Sequence, residues 1–456
     1  MTVDYELLIL GSGPAGYVGA VKAAESGIKK IAVLEKETLG GVCLNRGCIP
    51  SKSLIHQATV FRSIQELEFL GVKTDPSGLD YSKVFLQSRK AVDNLRRGIE
   101  FLFKKHGIEL IHGDFRLHSS NEVISTEGTI LSFNNLLIAS GSKPKDIPGF
   151  PIDETTVLSS TGALNLNRLP KKALVLGSGA IGLELAYIWN SFGVDVHVIE
   201  MLDRILPQEE EETTRILQKI FEKRNVRFSC STKAVEMNKT GKGVEVILES
   251  RRGRIREETE LILIAAGRIP ATDNLALEKA GIQTEKGFIP VGDFYRTSSP
   301  HIYAAGDVLN SPLLAHVASR EATIAVQAIA GKTPQSKINP ELIPSCIYTE
   351  PQIAGFGFTE QKAKEQNLPV KKSVYYFKAN GLAVATGSPE GLIKILWNQE
   401  TRQILGSHLV GKNATELIHE LLLAASAKLN PHQVKEMIHA HPTLSEGIME
   451  VMEEKI

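Results

Sequence analysis

The chain has 456 residues, with 52 basic and 52 acidic side chains, 38 glycines, four cysteines and 6% aromatic residues. The balanced charge removes the electrostatic argument for nucleic acid or an anionic membrane. Four cysteines are too few for a disulfide scaffold, and no apolar run reaches the ~18 residues of a membrane span. A length of this order allows roughly two to four domains with real cores, and abundant glycine with few aromatics fits α/β architecture better than an all-β sandwich. From Met1 the chain enters a predicted strand without a secretory or transit pattern. With so few cysteines, the expectation is a reducing compartment, the cytoplasm.

The first predicted unit is a strand over Tyr5–Leu10, the turn Gly11-Ser-Gly13-Pro-Ala-Gly16, a helix to about Ser26 and a second strand from Ile31 that ends on Glu35. In such a unit the first glycine permits the tight turn, the second lets a pyrophosphate approach the backbone, and the third lets helix and strand pack closely. The helix N-terminus offers free N–H groups to the phosphates, and the acid accepts from the adenosine ribose. Next comes Cys43-Leu-Asn-Arg-Gly-Cys48-Ile-Pro-Ser-Lys52. In an ideal helix, residues five apart have Cα atoms roughly 8–9 Å apart, whereas a disulfide wants about 4.4–6.8 Å. If the two cysteines bond, the helix must be distorted, and Pro50 is expected to help because it cannot donate to the Arg46 carbonyl. A bridge of this kind is easily reduced, which suits catalysis. A zinc reading lacks a second Cys/His pair. Cys230 and Cys346 are isolated, and Cys230, in a predicted strand, reads as a small buried hydrophobe. Ser88–His106 reads as a long amphipathic helix, and Asn135–Ala139 as a buried strand running into Ser140 and Gly141.

A second unit repeats the first: strand Ala173–Leu176, turn Gly177-Ser-Gly179-Ala-Ile-Gly182, helix to about Phe192, and strand Val194–Ile199 ending on Glu200. Two complete fingerprints in strand–turn–helix context are a strong signal for two nucleotide sites. Glu200 would repel a 2′-phosphate, and Arg204 is offset by Asp203, so this site should prefer NAD to NADP. The acidic run Glu209–Glu212 reads as a solvated helix start. Leu261–Ala266 is a second buried strand ending at Gly267, and Thr297–Gly306 is an apolar strand that stops at Asp307, where ligands bind in such folds. The last ~110 residues change character. Val374–Phe377, Leu392–Trp397 and Ile404–Val410 read as antiparallel strands, followed by helices over Ala414–Ala427 and Pro431–Ala440. Pro442 biases His441 away from helix. Thr443 is a credible N-cap with Glu446 at the capping-box position, and Glu446 stands at a distance suited to orienting the His441 imidazole.

The order of these motifs resembles the pyridine nucleotide–disulfide oxidoreductase family over nearly the whole chain. Gly40 through Lys52 and His439 through Glu446 resemble its branch that oxidises dihydrolipoyl groups. The resemblance implies two Rossmann-like doubly wound domains, the FAD domain interrupted by the NAD domain, plus a C-terminal α+β dimerisation domain. It divides the chain into 1–148 for FAD, 149–270 for NAD, a return segment 271–342 and an interface domain 343–456. It implies a homodimer in which the histidine of one chain completes the partner's site. It also implies service to lipoylated proteins of 2-oxoacid dehydrogenase complexes or of the glycine cleavage system, with no metal.

The residue roles follow by the same resemblance. Cys48 would be the thiol next to the flavin, Cys43 the interchange thiol, His441 the base and Glu446 its partner, and Lys52 would lie near the flavin with Glu184 a plausible partner. Gly11, Gly13, Gly16, Glu35, Gly113, Ser140, Gly141, Ser142, Asp307, Leu313, Leu314, Ala315 and His316 match FAD-contacting positions. Gly177, Gly179, Gly182, Glu184, Glu200, Ala234 and Gly267 match NAD-contacting ones. Arg46 departs from the pattern, since many relatives carry an apolar residue there. It stands between the cysteines, where it would affect their pKa values or the pocket rim. Mercuric reductases, which share the redox motif, carry an extra C-terminal cysteine pair that Val451–Ile456 lacks. A reductase for another disulfide or a metal ion, and a flavin redox sensor without turnover, are the alternatives.

Overall fold

The structure is a computed structural model and describes residues 3–241 and 243–452. Two compact units emerge. The first comprises the chain up to Ser53, Ser82–Lys145 and Gly267–Ile338; the second comprises Leu54–Tyr81, Asp146–Ala266 and the chain from Asn339.

The first unit is built on a parallel sheet whose strands run, from one edge, Glu109–His112, Ile31–Glu35, Tyr5–Leu10, Ile130–Ile138 and Ile302–Ala304. Leu7, Leu8 and Ile9 are fully buried, as are Leu136, Leu137 and Ile138. A continuous apolar run of this kind suits a strand covered on both faces. The crossover helix Pro14–Glu25 buries only Ala15, Gly16, Gly19, Ala20 and Ala23. Small residues let it approach both the sheet and the helix Ala315–Ile329: a Cβ on Gly19 would stand 3.1 Å from Leu137 Cδ2 and 3.4 Å from Ala322 Cβ. Phe115–Leu117 and Glu122–Ser125 form an antiparallel extension on Ile130–Ile138.

The second unit repeats the plan with the parallel order Arg227–Ser229, Asp195–Ile199, Lys172–Leu176, Leu261–Ile264, Val157–Leu158. An antiparallel three-stranded sheet, Thr232–Thr240, Gly243–Ser250 and Gly253–Thr259, stands between its fourth and fifth chain segments. A five-stranded antiparallel sheet follows, in the order Ser345–Ile347, Gln352–Gly357, Ile404–Gly411, Leu392–Asn398, Val370–Tyr376. Helices Ala414–Ser426 and Glu446–Val451 pack on it around Ile393, Ile395, Leu409, Ile418, Leu421 and Ile448.

Several local expectations are corrected. The long helix is Tyr81–His106, starting seven residues before Ser88 with the Tyr81 ring buried 5.4 Å from Phe192. The helix expected over Pro431–Ala440 ends at Lys435, and it starts with a capping box from Asn430 and Gln433. Cys230 follows the strand Arg227–Ser229 and is only half-buried.

The largest correction concerns Glu209–Glu212, which is not a solvated helix start. Glu210 is buried, and Lys394 Nζ, itself 1% exposed, lies 2.7 Å from Glu210 Oε1, 2.6 Å from Glu360 Oε2 and 3.3 Å from Glu212 Oε2. Glu210 Oε2 also accepts from the Glu360 N–H at 2.8 Å. A run of acids looks solvated in sequence because its countercharge lies far along the chain. Burial alone would raise the Glu210 pKa, but Lys394 and the Glu360 N–H outweigh it and the pKa falls; burial would lower the Lys394 pKa, but Glu210 and Glu360 raise it. The depressed acid contributes stability above the ordinary carboxylate range and loses it in acid, whereas the raised base loses its share only above the ordinary lysine range. Lys394→Ala strands a buried carboxylate. It is expected to cost about 3–5 kcal/mol near neutral pH, read by chemical unfolding, with the deficit shrinking as the pH falls into the carboxylate range and Glu210 protonates. A deficit under about 1 kcal/mol would put the pair in the class of solvated ones.

Candidate active site

Cys43 lies in the helix Gly41–Arg46 and Cys48 opens the helix Cys48–Arg62; the two are disulfide-bonded with their Cα atoms 4.8 Å apart. The break needed for that approach falls at Gly47 (φ −146°, ψ −115°). A Cβ there would stand 2.9 Å from the Val42 carbonyl oxygen and 3.0 Å from Cys43 Cα. Both are backbone atoms, so only glycine fits. Pro50, expected to distort the helix, instead sits in the first turn of Cys48–Arg62, where its missing N–H has no intrahelical acceptor to lose. The redox helix is folded back on its entry segment. Asn45 Nδ2 donates to the carbonyls of Thr38 (3.2 Å), Leu39 (3.0 Å) and Gly41 (2.9 Å), and Arg46 pairs with Glu37. Arg89 donates to the Asn45 carbonyl at 3.2 Å. Lys52, half-buried, stands one helical turn past Cys48.

Upstream, Gly11 (φ +105°) makes the turn that only glycine tolerates, because a Cβ would lie 2.4 Å from the Ala139 carbonyl oxygen. A Cβ on Gly16 would stand 1.9 Å from the Gly11 carbonyl oxygen, so helix and turn touch. Gly13 caps the helix Pro14–Glu25 with nothing within 4 Å of a would-be Cβ. The floor is thus bare backbone at a helix N-terminus, which fits a pyrophosphate. Glu35 Oε2 accepts from the Ser12 N–H (3.0 Å) and hydroxyl (2.5 Å), and Oε1 from the Glu37 N–H (2.8 Å). A carboxylate has about four acceptor positions, so one remains for a ribose hydroxyl. The Ser12 hydroxyl in turn accepts from the Gly40 N–H at 3.0 Å.

The second fingerprint reproduces this. Gly177 (φ +110°) and Gly182 carry the same close approaches, to Ala265 and Gly177, and Gly179 is open. Glu200 Oε2 accepts from the Ser178 N–H (3.0 Å) and hydroxyl (2.7 Å), and Oε1 from the Leu202 N–H (2.9 Å). Arg204 is spent on the carbonyls of Leu206, Pro207 and Glu209, so Asp203 is not needed to offset it. Ala234 is buried in the core beside Leu174 and Val246. Glu184 is buried, and its Oε1 accepts from the Tyr348 N–H at 3.1 Å.

The remaining candidate cofactor residues of the first unit, Gly267 from the NAD set among them, lie along strand ends and at one helix start. Gly113 donates to the Glu35 carbonyl at 3.0 Å, the Ser140 hydroxyl to the Ala271 carbonyl at 2.9 Å, and the Ala271 N–H to the Gly141 carbonyl at 2.9 Å. The Gly267 carbonyl (φ +108° at that residue) accepts from the Lys145 N–H. Ser142 donates to Asp307 Oδ2 at 2.5 Å and accepts from Arg268 Nε at 2.7 Å. Leu313 precedes the N-cap Leu314, and Ala315 and the exposed His316 open the helix Ala315–Ile329.

The sequence reading passed over Arg268, Gly47 and Glu321. Glu321 is buried, its Oε2 accepts from the Gly306 N–H at 2.7 Å, and burial pushes it up to about 7 against that bond. It also passed over Ser12 and Ser178, though the same residue stands between the first two glycines of both fingerprints.

In the second unit, His441 Nδ1 lies 2.8 Å from Glu446 Oε1, while Glu446 Oε2 accepts from the Thr443 N–H at 2.8 Å. The orienting and capping roles therefore coexist on one carboxylate. The Thr443 hydroxyl donates to the Ala440 carbonyl instead of capping, and the helix starts at Glu446 after Ser445. Asn380 holds the turn through the Thr443 carbonyl at 3.0 Å. The His441 side chain is 78% exposed, its far nitrogen open to a reactant. His439 is instead engaged, its Nε2 2.8 Å from Glu420. The Thr443 N–H and then His441 hold Glu446 below its ordinary pKa.

Residues 5–322 match the family model described as pyridine nucleotide-disulphide oxidoreductase, and residues 343–452 match its dimerisation domain. The chain is 38% identical to dihydrolipoyl dehydrogenase 2, mitochondrial, of Arabidopsis thaliana, over 98% of this chain and 89% of that one. It is 38% identical to the dihydrolipoyl dehydrogenase of Bacillus subtilis, over 99% and 98%. The solved structure of LpdA from Mycobacterium tuberculosis superposes with a TM-score of 0.91 at 25% identity, covering 98% and 99% of the two chains.

Gly47→Ala places a methyl against backbone that has no room to yield, at a strain of about 1–3 kcal/mol. After reduction, the variant is expected to re-form the Cys43–Cys48 bridge several-fold to a hundredfold more slowly, read by thiol titration, with Pro50→Ala unchanged. Equal rates for Gly47→Ala and the parent would show that the close approach at Gly47 is not needed.

Proposed function

We infer the reaction from one premise: the chain belongs to the pyridine nucleotide-disulphide oxidoreductase family. It oxidises dihydrolipoyl groups to lipoyl with NAD⁺ as acceptor, using FAD. The observation that carries this is the bridged Cys43–Cys48 pair on a break at Gly47, directly after one dinucleotide framework and in a chain that holds a second. Both frameworks fit their nucleotides through open helix starts and acids with acceptor capacity to spare.

The residues then act in sequence. His441, oriented by Glu446, takes the proton from one substrate thiol. The thiolate attacks Cys43 Sγ, the Cys43–Cys48 bond breaks, and Cys48 leaves as a thiolate. The second substrate sulfur, deprotonated in turn, attacks the first; the cyclic disulfide forms and Cys43 leaves. The substrate has lost two electrons and the cysteine pair has gained them. FAD, when bound, supplies the acceptor for those electrons and their transfer to NAD⁺ as hydride. Cys48 is the thiol on the flavin side, and Lys52, one turn on, stands with it. The divisions 1–148, 149–270, 271–342 and 343–456 serve FAD, NAD, the flavin again and the subunit interface. Glu200 with the engaged Arg204 supports NAD over NADP.

The dimerisation domain supports a homodimer, and we extend this to a site in which His441 serves the bridge of a second copy. Exposed apolar residues of the same unit support that reading: Ile438, three residues before His441, is 95% exposed and Leu423 68%. The substrates are lipoylated proteins of 2-oxoacid dehydrogenase complexes or of the glycine cleavage system. Among the described residues no helix is long and apolar enough to cross a membrane, and two unbridged cysteines suit the cytoplasm.

With dihydrolipoamide and NAD⁺, the parent is expected to form NADH and Cys43→Ser to lose turnover. His441→Gln should fall by about 10²–10⁴. Glu446 orients the His441 imidazole, so Glu446→Ala should lower turnover across the whole rate profile while His441 keeps the acid limb. Co-expressed Cys43→Ser and His441→Gln chains should recover part of the activity, because one mixed-dimer site is intact; no recovery would place both residues in one chain's site. Glu200→Ala should shift preference toward NADP⁺ by roughly tenfold or more, since a like charge is removed. Flavin-loaded protein without NADH formation would overturn the substrate assignment.

A further inference from the structure

The relay leaves one charged residue of the redox loop without a task. Arg46 ends the helix Gly41–Arg46 three residues after Cys43, so the two side chains adjoin on one helix face, with Cβ atoms about 5–6 Å apart. Its guanidinium is held by Glu37, with the pair half-exposed on both sides. The other charges around the loop are placed differently. Arg89 reaches the Asn45 carbonyl from another helix, Lys52 follows Cys48 rather than Cys43, and Arg268 is engaged with Ser142 and close to Asp307 at 3.9 Å. Arg46 is also near enough to Arg268 to disfavour that residue's charge, though burial is the larger cause there. Glu37 is fixed in turn, since its N–H donates to Glu35. A cation whose charge is partly cancelled by a tethered acid is thus set on the same face as the interchange thiol.

We propose that Arg46 is a positioning residue for the exchange step, stabilising the thiolate of Cys43 through space, with Glu37 limiting how strongly it does so. The proposal rests on the relay above, in which Cys43 is the leaving group when the substrate ring closes. In that step the bond between Cys43 Sγ and the first substrate sulfur breaks, the bond between the two substrate sulfurs forms, and the electron pair stays on Cys43. A leaving thiol of lower pKa departs faster, so Arg46 speeds release of the oxidised substrate.

The test is alkylation of the reduced holoenzyme by iodoacetamide across pH, with modification at the Cys43 peptide followed by mass spectrometry. It needs no lipoyl substrate. Arg46→Gln is expected to move the Cys43 profile to higher pH and slow alkylation at neutral pH by about three- to tenfold, the effect of one charge at this range in a part-solvated site. Arg46→Lys should keep most of the parent rate, and Glu37→Gln should move the profile the other way. High salt should shrink all three differences. An unchanged profile in a folded Arg46→Gln protein, or a shift in the same direction for Arg46→Gln and Glu37→Gln, would overturn the proposal. Should Arg46→Gln fail to fold, Glu37→Gln decides by the sign of its shift. Failure of the reaction assignment is separate, appearing as no NADH from dihydrolipoamide while the order of alkylation rates stands.

Discussion

The hydroxyl of Ser12 is the point on which the first unit turns. It donates to the Glu35 carboxylate, at the end of the second strand, and accepts from the Gly40 N–H, just before the redox helix. One buried side chain therefore ties together the glycine turn, the Glu35 carboxylate and the entry to the cysteine loop. A hydroxyl does this well because it both donates and accepts. The same hydrogen bonds fix where the redox helix begins, and the Asn45 and Arg46 contacts then fold that helix back on its entry segment. In the second unit Ser178 holds Glu200 in the same way. There the continuing chain returns Arg204 to its own carbonyls and builds no redox loop.

Much of this was legible in the sequence, because the decisive contacts are local. The two glycine fingerprints, the acids at positions 35 and 200 and the pairing of His441 with Glu446 all lie within about twenty residues of their partners. The distortion of the cysteine helix was also legible from helix geometry, but not its cause: Gly47 rather than Pro50 supplies it. The error is instructive. A proline weakens a helix by what it lacks, and in a first turn it lacks nothing the helix needs. A glycine permits what no other residue can, and the requirement shows only once the approaching backbone is in view.

What the sequence hid is long-range compensation. The acids at 209–212 resemble a solvated helix start because nothing nearby answers them, yet Lys394, 184 residues from Glu210, enters their midst. Glu321 gives no local sign that it lies buried behind the Gly306–Asp307 turn, since helix periodicity marks it only as an inward-facing position. The Thr443 cap was misread for a related reason. Glu446 is one acid with two oxygens, and it satisfies the histidine and the turn together, so the threonine hydroxyl is released to the Ala440 carbonyl.

The Lys394 cluster has a consequence for heat. Placing an ammonium and three carboxylates around one point costs hydration, and that cost is greatest in the cold. As temperature rises, the hydration of charged groups becomes less favourable, so less is lost by keeping them from water. The apolar contacts of the same sheet gain little over that range. The joint between the helix Glu211–Lys223 and the strand Leu392–Asn398 is therefore relatively better secured in warm solution than its contacts at room temperature suggest.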